Sequence, residues 1–450
     1  MNSMKFRTDE RTQRTMAFFL NTLILVIMFQ VFWRIWIGYF KEFAYFYGFG
    51  DTIIVIIYSI LLVVFNVVYG GFNIGYAKVS ELIFSQMISL FFANTIIYIV
   101  ADLVGRYVVP ARPFVPMFLT EVMLDAFLMI LANVFYYSVF PPRRVLLIYE
   151  QDDPTIEMRI AKYQHNAYKI EKKEKYSEAK EHLDELKKYD CVIASGLTSN
   201  HKARLVHACY ERTRNIYIIP DVYDVIVNSA SSVYLVDTPV FKANNFGPSQ
   251  LEKIAKRAVD ILFSAVMLVI ASPFMILTAI AIKLEDHGPV FYKQTRLTRY
   301  GRRFDIIKFR SMRIDAEKDG VARLASEHDD RITKVGRFIR ACRIDELPQL
   351  INILVGDMSV VGPRPERPEL VEKILEEVPE FNYRLAVKAG LTGYAQVYGK
   401  YNTRTRDKLL FDLIYIENYS FFLDIRIMFM TFKILFMKES TEGVEDTANE

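Results

Sequence analysis

Cysteine is scarce: Cys191, Cys209 and Cys342 are the only three, and none stands in CxxC spacing. That excludes a disulfide framework and a cysteine-built zinc site, and it fits a reducing compartment. The six histidines are scattered. Charge of one sign is lacking too. Lys and Arg number 56 against 52 Asp and Glu, and the net +4 gives no bulk attraction to nucleic acid, so no nucleic-acid partner is expected. A cleavable leader is not expected either, because Lys5, Arg7, Arg11 and Arg14 run into an apolar stretch too long for a signal-peptide core.

What the chain has is apolar and aromatic surface. Hydrophobic residues make up 52%, with 34 Phe and 27 Tyr, across 450 residues that suggest two to four units. Apolar segments at 16–37, 52–69, 82–100 and 117–140 each approach the roughly 20 residues that cross a hydrocarbon core. Four crossings return the chain to its starting side. Basic residues before the first span, and Arg143 with Arg144 after the fourth, place both ends in the cytoplasm. Arg106 and Arg112 fall in a loop predicted outside, against that orientation. Glu121 and Asp125 lie one helical turn apart inside the fourth segment. Intramembrane carboxylates are functional by default; the plainer reading turns these two toward a neighbouring helix or one end of the span.

From 143 to 245 the pattern becomes α/β. Short β-rich runs at 145–149, 191–194 and 216–219 alternate with charged helical stretches such as 176–188, which predicts a small parallel sheet in a Rossmann-like module. The first strand is followed by Glu150-Gln151-Asp152-Asp153 instead of a glycine-rich turn, so a structural or regulatory module is expected, not a nucleotide site. A fifth apolar run, 258–284, is basic at both ends and carries Ser272-Pro273 in its middle. Proline removes one backbone donor, and the freed carbonyl can be satisfied by the Ser272 hydroxyl or by local rearrangement. A re-entrant helix that bends there and returns to the same face reconciles the two basic flanks; an ordinary kinked span is the alternative. The segment 421–437 is apolar but interrupted by Asp424, Arg426 and Lys433, as in an interfacial helix. The acidic tail 439–450 is expected to be disordered.

Asp345-Glu346 precede Leu347-Pro348, and proline suits a first helical turn. Two adjacent carboxylates therefore stand at a helix start, where free amides also attract anions. Neighbours on a helix point about 100° apart, so the pair serves one site from two sides, as nucleophile and as metal or proton partner. The plain alternative is an N-cap. Pro363-Arg364-Pro365 mounts an arginine rigidly for phosphate. Lys308-Phe309-Arg310 puts two cations at a probable strand end, and the stretch 390–397, with Gln396, offers small residues and an amide. Together these make a basic site suited to a doubly phosphorylated substrate and a lipid phosphate.

From Lys256 to Met437 the chain resembles the bacterial sugar transferase family, the monotopic polyprenyl-phosphate phosphoglycosyl transferases. The resemblance is carried, in order, by Lys256-Arg257, Ser272-Pro273 and the stretches 289–294, 308–312, 330–333, 336–340, 345–349, 356–364 and 391–397. The preceding four spans and α/β region are similar in arrangement to long-form members that begin capsule, O-antigen or exopolysaccharide synthesis. Two positions depart from the family pattern: Thr298 stands where glycine is usual, and Ala389 where proline precedes Gly390.

The resemblance implies a membrane protein of mixed α and α/β class. It would comprise a four-helix transmembrane bundle (1–142), the Rossmann-like module (143–245) and a mainly α catalytic domain (246–438) with a re-entrant helix and interfacial helices. It implies that Asp345 attacks the β-phosphate of a UDP-sugar, forms a covalent phosphosugar and releases UMP. Undecaprenyl phosphate then takes the sugar phosphate. Glu346 supports Asp345 or Mg²⁺, for which both carboxylates are ligands. Arg340 takes the lipid phosphate, and Arg364, mounted by Pro363 and Pro365, holds substrate phosphates with Lys308, Arg310, Arg296 and Gln396. Glucose 1-phosphate and galactose 1-phosphate lead as the group transferred, with an N-acetylated sugar still open. The site is expected on the cytoplasmic face of a bacterial inner membrane, with a homodimer allowed for. The competing readings are a multispanning transferase of unrelated fold and a non-catalytic scaffold or regulator.

Overall fold

A computed structural model describes residues 10–40, 49–104, 110–212, 215–243, 247–313, 329, 331–399 and 404–435. Lys5, Arg7, Arg106, Asp330 and the 439–450 tail lie outside the described residues. The chain forms two compact units, Met1–Ile219 and Pro220–Glu450.

The first unit opens with α1 (Glu10–Ile35, continued by a π-helical turn Trp36–Phe40), α2 (Gly50–Tyr69), α3 (Val79–Val104) and α4 (Phe114–Val139). Each is long and apolar enough to cross a membrane. Their packing is inverted relative to a water-soluble bundle. On α4, Leu119, Met123, Phe127 and Val134 face outward while Glu121, Asp125 and Asn133 are buried, the distribution that lipid, not water, favours. Glu121 accepts hydrogen bonds from the Tyr58 hydroxyl (3.0 Å) and the Asn94 amide (2.5 Å), and the Tyr58 ring stacks on Phe32 at 3.7 Å.

A parallel sheet follows, in order β2-β1-β3-β4, built from β1 (Arg143–Tyr149), β2 (Tyr168–Lys175), β3 (Cys191–Ser195) and β4 (Asn215–Ile218). Val145 to Ile148 are buried at its centre. One expectation changes here: the predicted helix over 176–188 is only a four-residue helix, Tyr176–Ala179, and a 3-10 turn, Leu183–Lys188. The charged segment 168–175 adds an edge strand. Glu150, past β1, accepts from the Thr198 amide (3.0 Å) and contacts the His201 ring (3.1 Å). That carboxylate occupies the N-terminus of α5 (Ser199–Glu211), where a nucleotide phosphate would otherwise find its donors.

The second unit begins earlier than the sequence suggested. Helix α6 (Val222–Asn228) buries Val225 in the C-terminal core, and Ser229 donates to Glu417 at 3.1 Å. An antiparallel hairpin follows, β5 (Ser231–Leu235) with β6 (Thr238–Lys242). Then α7 (Gln250–Asp286) runs 37 residues without interruption, about 55 Å at 1.5 Å per residue. Pro273 cannot donate to the carbonyl of Val269, and the Ser272 hydroxyl donates to it instead, at 2.8 Å. Beyond α7 lie the hairpin β7 (Phe291–Leu297) and β8 (Arg303–Phe309), α8 (Lys334–Ala341), a 3-10 turn Ile344–Glu346, α9 (Gln349–Val355) and β9 (Ser359–Val361). The chain continues through α10 (Pro368–Glu377), β10 (Gly390–Thr392), α11 (Tyr394–Tyr398), α12 (Thr405–Glu417) and α13 (Phe421–Leu435). Of the charges that interrupt α13, Asp424 and Lys433 are buried. Asp424 pairs with Lys256 of α7 at 2.6 Å and accepts from the Tyr415 hydroxyl at 2.7 Å, so these charges pack against the unit.

Candidate active site

The site is assembled by straps that bring β8, the 345–346 turn and the 362–365 loop to one place. Asn352 on α9 is the first. Its Oδ1 accepts from the Ile307 amide (3.0 Å) and its Nδ2 donates to the Asp305 carbonyl (2.9 Å), fastening β8, and with it Lys308, to the helix that follows the acidic pair. Arg257 of α7 donates to the carbonyls of Ile353 (2.6 Å) and Leu354 (2.7 Å), satisfying orphan acceptors at the C-terminal end of α9. At the start of α8, Glu285 accepts from the Lys334 and Val335 amides and Thr333 from Gly336, which sets the helix carrying Arg340. Between α8 and the acidic pair, Arg343 is in the left-handed region at φ 55°, an uncommon conformation for a residue with a Cβ. It turns the chain so that Asp345 and Glu346 follow at once.

The arginine loop is held from the other side. Gly362 donates to Thr392 (2.8 Å) and Gly390 to the Pro363 carbonyl (2.9 Å). A Cβ on Gly390 would lie 2.1 Å from the Gly362 nitrogen, so only glycine permits this approach. Arg384, buried against Asp412 (2.8 Å), donates to the carbonyl of Arg364 at 2.9 Å. Arg296 reaches the Pro365 carbonyl (3.2 Å) and Gln294 (2.6 Å).

Glu346 Oε1 accepts from Lys308 (3.1 Å) and from Arg364 (3.0 Å). The two carboxylates are thereby made unequal. Burial alone would raise the Glu346 carboxyl, but Lys308 and Arg364, helped by Arg343, outweigh it and hold it well below the usual carboxylate range. Asp345 stays out of that clamp. Its carboxyl is raised, first by burial and then by the charge of Glu346, against the pull of Lys308, Arg340 and Arg343. The result is one acid whose ionised form is favoured by the cations bound to it, beside a second acid in a cationic field.

The structure thus joins Lys308, Arg364 and Glu346 by direct contact, with Lys308, Arg340 and Arg343 acting on the neighbouring Asp345 through their charge. Arg310 turns elsewhere. It pairs with Asp286 at the end of α7, and a Cβ on Gly288 would meet its guanidinium at 1.9 Å. Arg296 supports the loop and does not contact the pair, and burial lowers its pKa to about 10. Gln396 donates to the Leu391 carbonyl at 3.2 Å, within its own loop. Ser272 and Pro273 lie within α7. Sequence reasoning passed over Arg343, Asn352, Arg384 and Asp412. Arg343 was the most legible of them, a third cation two residues before Asp345; the others stand in no motif and act through partners distant in sequence.

Mg²⁺ commonly takes one or two carboxylates and completes its shell with substrate phosphates and water. Asp345 and Glu346 supply two. Among the described residues no group of three His, Cys, Asp or Glu side chains converges to hold a metal. The donor set therefore fits an ion that arrives with phosphates better than one caged by protein alone.

Helices suited to a membrane and a cluster of cations around paired carboxylates define a membrane-associated protein equipped for phosphate chemistry. The sequence model described as bacterial sugar transferase matches residues 251–438. The chain is 44% identical over 255 residues to the UDP-N-acetylgalactosamine-undecaprenyl-phosphate N-acetylgalactosaminephosphotransferase of Aeromonas hydrophila, covering 55% of this chain and 59% of that protein. It is 38% identical over 241 residues to the UDP-glucose:undecaprenyl-phosphate glucose-1-phosphate transferase of Escherichia coli (strain K12), covering 51% and 50%. With the similarly named glucose-1-phosphate transferase of Caulobacter vibrioides it shares 40% over 183 residues, 40% of this chain and 68% of that protein. The chain belongs to the bacterial sugar transferase family. It spans about half the length of the first two relatives.

Proposed function

We propose that the protein transfers a sugar 1-phosphate from a UDP-sugar to undecaprenyl phosphate through an aspartyl intermediate on Asp345. The observation that carries this is the division of labour in the acidic pair: Lys308 and Arg364 both donate to Glu346, and Asp345 is left outside their clamp. A carboxylate oxygen of Asp345 attacks the β-phosphorus, the bond to the bridging oxygen breaks, and UMP leaves with that electron pair. An oxygen of undecaprenyl phosphate then attacks the same phosphorus and releases Asp345, giving the undecaprenyl diphosphate sugar. Covalent carboxylate catalysis divides one difficult displacement into two easier ones. Arg364 and Lys308 hold the phosphate charge, and Arg340 receives the lipid phosphate. Mg²⁺ bound with the donor phosphates, with Asp345 and Glu346 as its protein ligands, would neutralise charge that phosphoryl transfer develops.

In this reading α7 enters and leaves the cytoplasmic leaflet of the inner membrane on one face, and the four helices of the first unit anchor the chain. The 143–245 region is a Rossmann-like module without a nucleotide, and a homodimer is the assembly to be tested by light scattering. UDP-N-acetylgalactosamine and UDP-glucose are the donors to compare first, on the relatives' activities. The experiment is UMP release from a panel of UDP-sugars with undecaprenyl phosphate, for the parent and Asp345→Asn. Release with one donor, abolished by the substitution, is expected. No release with any donor, in detergent and in native lipid, would favour a scaffold.

A further inference from the structure

The four-helix unit contains a cavity that the transfer reaction does not use. Asn21 of α1, Asn66 of α2, Phe72, Gln86 of α3 and Asp125 of α4 contribute to its lining. Its space, about 10 Å³, takes a single water-sized body. Asp125 and the three amides are all more than nine-tenths buried.

The amides are oriented by their donors. Asn21 donates to the Phe72 carbonyl (2.9 Å), Asn66 to Leu62 (3.0 Å) and Gln86 to Gly71 (3.0 Å). This commitment leaves Asn21 Oδ1 and Asn66 Oδ1 with no partner. Glu121, one turn from Asp125, is a different case, since Tyr58 and Asn94 already satisfy it. Among the described residues no lysine or arginine lines the cavity. Asp125 thus presents an uncompensated carboxylate beside two orphan oxygens, a combination too costly to leave in an apolar surrounding.

Counting acceptors narrows what fills it. A proton on Asp125 removes the charge and serves one orphan oxygen; joined by a water it would serve both, and stability would then be indifferent to sodium. A water alone donates two hydrogens and leaves the charge. One hard monovalent cation neutralises a single carboxylate and takes several oxygens at once. A divalent ion would call for a second free carboxylate, which Glu121 does not provide. The geometry points to a binding site for a sodium-sized monovalent cation, held by Asp125 with the side-chain oxygens of Asn21 and Asn66, that ties α1, α2 and α4 together. This site is independent of the proposed transfer reaction, and either can fail without the other.

The test is thermal unfolding of the full chain in detergent, with sodium chloride replaced stepwise by choline chloride at constant ionic strength. The parent's Tm is expected to rise with sodium along a single-site saturation curve, and Asp125→Asn should flatten the curve. Asn21→Leu keeps the carboxylate and guards against a variant that does not fold; its sodium midpoint should move up by about tenfold or more. An equal Tm in sodium and choline for the parent would overturn the site. So would an Asp125→Asn variant that responds like the parent, or an Asn21→Leu midpoint that does not move.

Discussion

Asp345 and Glu346 are neighbours in sequence with opposite environments, and that difference is measurable. As the proposed nucleophile, Asp345 would act ionised, so activity is expected to be lost as pH falls through its pKa. Burial and the charge of Glu346 raise that pKa above the ordinary aspartate value, about 3.9. Glu346→Gln removes the raising charge, so the acid limb of kcat/KM should move to lower pH. The rate itself should fall by about 100-fold, because Lys308 and Arg364 lose their anionic anchor. A limb that stays in place would contradict the coupling. The two departures from the family pattern are also connected at this scale. Thr298 Oγ1 accepts from the Ala389 amide at 3.2 Å and donates to the Asp357 carbonyl at 2.8 Å. A proline at 389 has no amide to satisfy, so the threonine provides for a donor that its absence created. Thr298→Ala should cost about 1–2 kcal/mol in thermal unfolding. In an Ala389→Pro background the cost should shrink by about 1 kcal/mol; additive costs would sever the link. Asp345, Glu346 and Arg364 were legible because clustered charge beside proline is rare without a purpose. The use of Thr298 was not, since its partner is 91 residues away in the chain.

Elements show where pattern reading succeeds and where it stops. Helices α1 to α4 and α7 were legible because an unbroken apolar run of that length has few other uses. Strand β2 was not, since Tyr168–Lys175 is mostly charged and earns its place by backbone pairing with β1, which supplies the buried side chains. Residues 220–243 carry no signal that separates them from the sheet; the burial of Val225 and the Ser229–Glu417 hydrogen bond show which core they join. Asn352 is the element-scale feature with the clearest consequence. Two hydrogen bonds from one amide hold β8 to α9, so Asn352→Ala leaves the part-buried Ile307 amide and the Asp305 carbonyl without this partner. The expected loss is about 2–3 kcal/mol of stability, with a fall in kcat larger than the change in KM, because Lys308 drifts from Glu346. A variant with parental kcat would show that β8 is positioned by something else.

For the whole molecule the open question is the path of α7. At about 55 Å it exceeds the roughly 30 Å hydrocarbon core, so length alone permits a tilted crossing or a turn within one leaflet. The proline does not decide between them, because Ser272 repairs the carbonyl that Pro273 leaves and the helix continues through it. Charge does favour one answer: Lys253, Lys256 and Arg257 precede the apolar stretch, and Lys283, Lys293, Arg296 and Arg299 follow it. Positive flanks prefer the cytoplasmic side, and one crossing would put the second set outside. One member of that second set, Arg296, also supports the Arg364 loop; a crossing would separate the site from the proposed cytoplasmic donor. Single cysteines at Leu251→Cys and Arg303→Cys, both exposed, in a Cys342→Ser background, should react with a membrane-impermeant maleimide only after the inner face is opened. Labelling of Arg303→Cys on intact cells would make α7 a true span and take the Asp345 site out of reach of its donor.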